Sequence, residues 1–266
     1  MTYLDANATE PVRPEARAAV LAALDLTGNP SSVHAAGRAA RRVLEDARET
    51  IAGRFGGRPA DLVFTSGGTE ADALAIHALG QGRRLIVGAT EHDAVRAAAP
   101  GAAILPVDRS GVADLAALEA LLAEGPALVS LMLANNETGT LQPVAEAAAL
   151  CRAAGALLHV DAVQAAGRVG VDFAGLGAAS MALSSHKLGG PAGAGALLLS
   201  PEASARLRPL IVGGGQERGR RGGTPPLPAI AGFAAAALAA SPGDALAALR
   251  DAIMQAAIAG GAVPIA

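Results

Sequence analysis

Lys187 is the residue of this chain whose chemistry is hardest to replace. It is the one lysine among 266 residues, so 20 of the 21 Lys and Arg side chains are arginines. A guanidinium stays charged in proteins, whereas a lysine amine with a lowered pKa can attack a carbonyl and form a Schiff base. The plain alternative is a solvated surface lysine. Ser184–His186 precede Lys187 and Gly189–Gly190 follow it, and this polar, turning loop favours the chemical role.

Short apolar runs alternate with helical segments along the chain, as is typical of strands buried in a parallel sheet. The predicted fold is therefore α/β, with a mostly parallel central sheet and helices on both faces. The predicted strands are Leu62–Thr65, Arg84–Gly88, Ala102–Val107, Leu128–Leu133, Ala156–Val160, Ala178–Leu183 and Ala194–Leu199. The predicted helices are Pro14–Asp25, Val33–Arg54 capped by Ser32, Glu70–Leu79, His92–Ala98, Val112–Leu122, Val144–Ala154, Leu227–Ala240 and Asp244–Ile258.

Polar residues follow five of these apolar runs. Parallel α/β sheets bind ligands beyond the carboxyl ends of their strands, so we expect one shared site there. The polar groups are Ser66–Thr69, His92, Asn135–Glu137, Asp161–Gln164 and Ser184–Lys187. Further along, residues 213–224 have the composition of a long, mobile, basic loop.

Each polar group has a functional and a structural interpretation. Backbone N–H groups of Ser66–Thr69 could cradle an anion at a helix start, or Thr69 could cap that helix. Asp161 could hold a ring nitrogen protonated through a charge-assisted hydrogen bond, or cap a helix. His92 could act as a base or stack on a ring, or simply open a helix. Asn136 could bind a ring substituent, or occupy a turn.

Taken together, the groups are more informative than any one of them. An anion cradle, an acid for a pyridine nitrogen, a stacking histidine and a Schiff-base lysine are what pyridoxal phosphate requires. His159 lies in an apolar strand and Cys151 among apolar helical neighbours, so both are expected in the core. His34 and His77 receive no role.

Composition argues against several other classes of function. The net charge of −3, with mixed signs, predicts neither nucleic acid nor a membrane surface as a partner. The longest apolar stretch, Phe233–Ala240, is far shorter than the ~20 residues of a membrane span. The N-terminus lacks the layout of a signal peptide, and one cysteine fits a reducing, cytoplasmic location. His and Cys spacing predicts no metal site.

Seven motifs occur in a fixed order along the chain. They are Tyr3–Thr9, Gly28–His34, Phe64–Glu70, Glu91–His92, Asn135–Gly139, His159–Gln164 and Ser184–Lys187. Together they resemble the cysteine desulfurases of the class V aminotransferase group, pyridoxal phosphate enzymes of fold type I. The resemblance covers nearly the whole chain.

The resemblance implies a role for each matched residue. Lys187 would hold pyridoxal phosphate covalently, and Asp161 would pair with its pyridine nitrogen. His92 would stack on the ring and move protons, while Gln164 and Asn136 would bind around the phenolic oxygen. The phosphate would be contacted by Gly68, Thr69, Ser184 and His186, and by Thr224 from the other subunit of a homodimer.

The resemblance also implies a reaction and its partners. Such enzymes convert L-cysteine to L-alanine and pass the sulfur to an acceptor thiol, for Fe–S cluster or thio-cofactor synthesis on an acceptor or scaffold protein. Two alternatives stay open. One is another class V enzyme, such as a selenocysteine lyase or an aminotransferase, and the other is a non-catalytic remnant that binds pyridoxal phosphate.

Three parts of the chain are predicted on the same basis. Residues 1–12 form an N-terminal arm, 13–243 the cofactor-binding large domain, and 244–266 the start of a C-terminal small domain. In the family that small domain continues for roughly a hundred residues. The continuation carries the acceptor cysteine and an arginine that grips the substrate carboxylate, so both are expected to be absent from this chain. Cys151 does not match the acceptor position.

Overall fold

Seven strands form one sheet in the computed structural model, which describes residues 2–241 and 244–263. The strands are β1 Leu62–Thr65, β2 Arg84–Gly88, β3 Ala103–Leu105, β4 Ala127–Ser130, β5 Leu157–Asp161, β6 Ser180–Ser184 and β7 Gly195–Leu199. Their order across the sheet is β1, β7, β6, β5, β4, β2, β3. Every neighbouring pair is parallel except the two that involve β7, which confirms a mostly parallel sheet.

Helices cover both faces of this sheet. They are α1 Pro14–Leu24, α2 Ala35–Arg54, α3 Gly68–Leu79, α4 Asp93–Ala98, α5 Leu115–Leu122, α6 Val144–Ala153, α7 Phe173–Leu176, α8 Pro201–Arg206, α9 Leu227–Ala239 and α10 Asp244–Ala259. Alternate residues of a strand point to opposite faces. Accordingly, Leu198 packs in the core cluster formed with α2, α6 and α9, while Leu197 and Leu199 pack in the cluster formed with α3 and α8.

Helix α9 packs closely against the helices and the loop beside it. Its Phe233 and Ile230 side chains are fully buried. A Cβ on Gly232 would lie 2.7 Å from Val20 Cγ2 and 2.8 Å from Pro191 Cδ. Glycine therefore lets α9 approach α1 and the loop after Lys187 more closely than a larger residue would.

The antiparallel strand β7 creates the turn that carries Lys187. Ser184 of β6 pairs with Gly195 of β7, so the chain reverses between these two residues. A Cβ on Gly195 would lie 2.5 Å from the carbonyl carbon of Gly67. Glycine at this position brings the Lys187 turn beside the loop that opens α3.

Local chemistry explains where several predicted elements begin. The second helix starts at Ala35, not at Val33, because His34 rather than Ser32 is its cap: His34 Nδ1 accepts from the Gly37 N–H at 3.2 Å. The short helices α7 and α8 were not predicted; α8 begins where Ser200 Oγ accepts from the Ala203 N–H. The predicted end of the large domain, at residue 243, and the predicted end of the small domain, at residues 264–266, lie outside the described residues. The division into three parts stays a prediction.

Residues 213–224, predicted to form a mobile loop, make two sets of ionic contacts with the rest of the chain. Arg48 donates to both carboxylate oxygens of Glu217, at 2.8 and 2.7 Å, and the Phe64 N–H donates to the same carboxylate at 2.9 Å. Arg221 likewise donates to both oxygens of Glu70, at 2.8 and 3.1 Å. These paired charges anchor the glycine-rich segment to β1 and α3.

Replacing Arg48 with alanine should destabilise the chain strongly. The substitution leaves Glu217 buried without its cation, a change that typically costs about 3–5 kcal/mol. Urea unfolding would measure it. The matched control is Arg42→Ala on the same helix, where an exposed side chain should change stability by no more than about 0.5 kcal/mol. Equal effects of the two substitutions would show that the buried pair is not an anchor.

Candidate active site

A cavity of about 360 Å³ opens at the carboxyl ends of β4, β5 and β6. It is lined by nine of the ten predicted site residues, so the strand ends do converge. The nine are Gly68, Thr69, His92, Asn136, Asp161, Gln164, Ser184, His186 and Lys187. Thr224 is the exception: it is exposed and lies outside this cavity within its own chain. Its predicted role in a second subunit stays a prediction.

Lys187 closes a single 3-10 turn that directly follows β6. Its partly buried Nζ donates to the Asn7 carbonyl at 2.6 Å. Desolvation lowers the pKa of the Lys187 amine, and the nearby Arg168 cation lowers it further, against the opposing charges of Asp161 and Asp5. A lowered pKa is the condition under which a lysine amine becomes a nucleophile.

Asp161 is the last residue of β5 and is 6% exposed. Its Oδ1 accepts from the Val163 N–H at 2.8 Å, so its side chain caps a turn and not a helix. Burial raises the pKa of Asp161 to about 7. A cation placed in the cavity would therefore stabilise the ionised form of Asp161 strongly.

The first turn of α3 forms the predicted anion cradle. Gly67 precedes the helix without a side-chain cap from the described residues, so Thr69 is not the cap. A Cβ on Gly68 would lie 2.7 Å from Val163 Cγ2. Opposite this turn, the buried Ser184 Oγ has no hydrogen-bond partner among the described residues. Free N–H groups at a helix start, facing an unpaired hydroxyl, suit a phosphate.

The remaining predicted residues form the rim of the cavity. His92 opens α4 as its structural interpretation predicted, because its Nδ1 accepts from the Ala94 N–H at 3.0 Å. It also lines the cavity, and its role toward a ring stays a prediction. Gln164 Nε2 donates to the Asn7 carbonyl at 3.0 Å. His186 Nδ1 lies 3.1 Å from Thr9 Oγ1.

Asn7 and Asp72 line the cavity although they were not among the predicted site residues. Asn7 lies in the arm, and its carbonyl accepts from both Lys187 and Gln164. Asp72 lines the cavity floor and is 1% exposed. Its sequence signal was available, because it follows Thr69 by three residues on a helix and so shares its face.

Cys151 and His159 are buried in the core, as predicted. Cys151 is buried in α6, where burial raises the pKa of its thiol to about 12. His77 lies in the last turn of α3 and does not line the cavity. Among the described residues, no cluster of His, Cys, Asp and Glu could hold a metal ion. In the same part of the chain, no helix combines the length and apolarity needed to cross a membrane.

The fold and this arrangement define a class of protein: a pyridoxal-phosphate-dependent protein of fold type I. A family model described as Aminotransferase class-V matches residues 2–257. An IscS-like cysteine desulfurase of Mycobacterium tuberculosis is 42% identical over 255 residues, covering 89% of this chain and 64% of the relative. A cysteine desulfurase of Cereibacter sphaeroides is 45% identical over 269 residues, covering 95% of this chain and 69% of the relative.

A solved structure gives the same result. The NifS-like protein of Rickettsia africae superposes with a TM-score of 0.85 at 37% identity, over 90% of this chain and 68% of that one. The chain therefore belongs to the class-V aminotransferase family. It spans about two thirds of the length of these relatives.

The residues present fit pyridoxal phosphate, the cofactor of this family. The unpaired, buried Ser184 hydroxyl and the open first turn of α3 match a phosphate. The Lys187 amine and the buried Asp161 carboxyl match the aldehyde and the pyridine nitrogen at the two ends of the ring system.

Ser184→Ala should weaken pyridoxal phosphate binding without destabilising the chain. A lost hydrogen bond to a charged group costs about 1.5–3 kcal/mol, or roughly tenfold or more in affinity. The matched control is Ser185→Ala, because Ser185 Oγ is also buried and unpaired among the described residues but does not line the cavity. Titration by absorbance would measure both affinities. Equal losses, or none at Ser184, would contradict the phosphate assignment.

The Cys151 thiol should be unreactive in the folded chain. Burial and a raised pKa keep it protonated and inaccessible, so a chromogenic disulfide reagent should react only after denaturation, with one thiol per chain. Rapid reaction of the native chain would show an exposed thiol and reopen its role in sulfur transfer.

Proposed function

We propose that this chain is the cofactor-binding part of a pyridoxal-phosphate-dependent cysteine desulfurase. The observation that carries the proposal is the placement of Lys187 and Asp161 in one cavity beside an anion cradle. The relatives at 42% and 45% identity are cysteine desulfurases, which supports this reaction over others of the family.

The proposed reaction transfers sulfur between two thiols. L-Cysteine loses its sulfur atom and becomes L-alanine, while an acceptor thiol gains that atom and becomes a persulfide, so atoms and electrons balance. The bound cofactor supplies an electrophilic aldehyde and an electron sink. Because Cys151 is buried, the acceptor is a thiol other than Cys151.

The chain's own residues have separate tasks in this scheme. Lys187, with its lowered pKa, attaches the cofactor and accepts and returns a proton at Nζ. Asp161 provides the carboxylate that faces the pyridine nitrogen. Gly68, Thr69, Ser184 and His186 bind the phosphate, and His92, Asn136 and Gln164 orient the ring and the substrate. The arm excludes water at the side of the cavity where Asp5, Asn7 and Ala8 line it.

Several wider features belong to the same proposal. We place the protein in the cytoplasm, in keeping with its single, buried cysteine. A homodimer would let Thr224, held on the segment that Glu70 and Arg221 anchor, reach the cofactor of the other subunit. The sulfur would pass to an acceptor or scaffold protein for Fe–S cluster or thio-cofactor synthesis.

The cofactor attachment can be tested directly by reduction. Borohydride treatment of the chain loaded with pyridoxal phosphate should fix the cofactor on the peptide that contains Lys187, as read by mass spectrometry. Incubation of a separate, unreduced sample of the loaded chain with L-cysteine and an added small thiol should release alanine and sulfide. Lys187→Arg should abolish both results, because a guanidinium keeps the charge but cannot attack a carbonyl.

Different failures have different meanings. Label on another residue would refute the site. Label on Lys187 without alanine release would refute the reaction for this chain while leaving the cofactor site intact. Faster turnover of L-selenocysteine, or transfer of an amino group to a 2-oxo acid, would favour the two enzymatic alternatives.

A further inference from the structure

A chain of buried polar side chains lies beneath the cavity and has no part in the proposed roles above. His159 Nε2 lies 3.1 Å from Asp72 Oδ1, and His159 Nδ1 lies 2.8 Å from Ser180 Oγ. All three residues are at most 1% exposed. Among the described residues, His159 is the one basic side chain in contact with the Asp72 carboxyl.

Backbone geometry brings this chain directly under Asp161. His159 and Asp161 are two residues apart on β5, so their side chains share one face of the sheet. Ser180 is the register partner of His159 on the parallel strand β6. Asp72 comes from α3, which packs on that face, and it lines the same cavity as Asp161.

The protons of this chain follow from burial. Burial lowers the pKa of His159 to about 4, so its ring is neutral at neutral pH with one donor and one acceptor nitrogen. Burial raises the pKa of Asp72 to about 8, which favours a protonated carboxyl that donates to His159 Nε2, 3.1 Å away. His159 Nδ1 then donates to Ser180 Oγ. Both hydrogen bonds are satisfied without any net charge.

Other ionisable groups face the same region from each neighbouring element. Glu91, after β2, is buried and accepts from the Met132 N–H; burial, with the Asp161 charge adding to it, raises the pKa of Glu91 well above its usual range. His92 and Lys187 face Asp161 from the rim. Three buried carboxyls so close together cannot all ionise, because each charge opposes the next.

We propose that Asp72 is a positioning residue of the cofactor site: as a neutral acid it holds His159 and Ser180 in a hydrogen-bonded chain, and so leaves Asp161 as the carboxyl that ionises beneath the cofactor. The inference rests on the proposed cofactor function for its effect on Asp161. The hydrogen-bonded chain and its charge state are properties of the protein alone.

The decisive variant is Asp72→Asn in the full chain loaded with pyridoxal phosphate. An amide N–H replaces the acid O–H, so the pH midpoint of the bound cofactor's visible absorbance should stay within about 0.3 unit, and affinity within about threefold. Asp72→Ala removes the donor and leaves the His159 ring without its partner, so the support beneath Asp161 is lost. The midpoint should then shift by about one unit and binding should weaken about tenfold.

Two results would overturn the proposal. A shift of about one unit or more in Asp72→Asn would show that Asp72 acts as a charge. An unchanged midpoint and affinity in Asp72→Ala would show that it has no effect on the site. Should the alanine variant fail to fold, the asparagine variant still decides between a neutral acid and a charge.

Stability against pH provides a test that needs no cofactor. The folded-state pKa of Asp72 lies above its unfolded value, so its contribution to stability is complete below the unfolded pKa and is lost as the pH rises through about 8. Asp72→Asn removes this loss. The Tm of the variant should therefore rise relative to the Tm of the wild type as the pH increases from about 5 to about 8. The exposed control Asp46→Asn should show no such trend.

The absorbance titration and the measurement of Tm against pH test the proposed function and the role of Asp72 separately. If the wild-type chain fails to bind pyridoxal phosphate, the proposed function fails while the stability trend still tests Asp72. A Tm difference that stays constant with pH would show that Asp72 is ionised in the folded chain, and the inference would be wrong.

Discussion

Parallel pairing of β5 and β6 is the constraint on which the site depends. In this pair Asp161 lies beside Ala182, so both strands end at the same edge of the sheet. The chain leaves β6 at Ser184 and returns in β7, which confines Lys187 to the space beside Asp161. A slip in this register would separate the amine from the carboxyl and turn each inward side chain to the other face.

The floor of the cavity has several buried carboxyl groups and no charged basic group among the described residues. The floor contains the carboxyls of Asp72, Glu91 and Asp161, and burial raises the pKa of each. The nearest basic group below them, His159, is held neutral by the same burial. A cationic ring nitrogen is therefore the partner that this cavity lacks and would bind most favourably. The same low polarity lowers the pKa of the Lys187 amine at the rim.

The N-terminal arm completes the site from a distant part of the sequence. The Asn7 carbonyl accepts from Lys187 and from Gln164, and Asn7 Nδ2 donates to the Asn136 carbonyl at 3.2 Å. The arm is itself held by the Lys187 turn, since the Glu10 N–H donates to the His186 carbonyl. Arm and turn therefore position each other.

The sequence by itself determined the alternating strands and helices and nine of the cavity-lining residues, because apolar periodicity and strand-end polarity are local signals. The single lysine among 20 arginines was visible from the amino-acid composition. Only the tertiary structure decided that β7 runs antiparallel, that Glu217 and Arg221 anchor the glycine-rich segment, and that Asp72 joins His159. The side-chain contacts of Glu217, Arg221 and Asp72 link residues from 87 to 169 positions apart. Their partners are chosen by packing and desolvation, which no short stretch of sequence records.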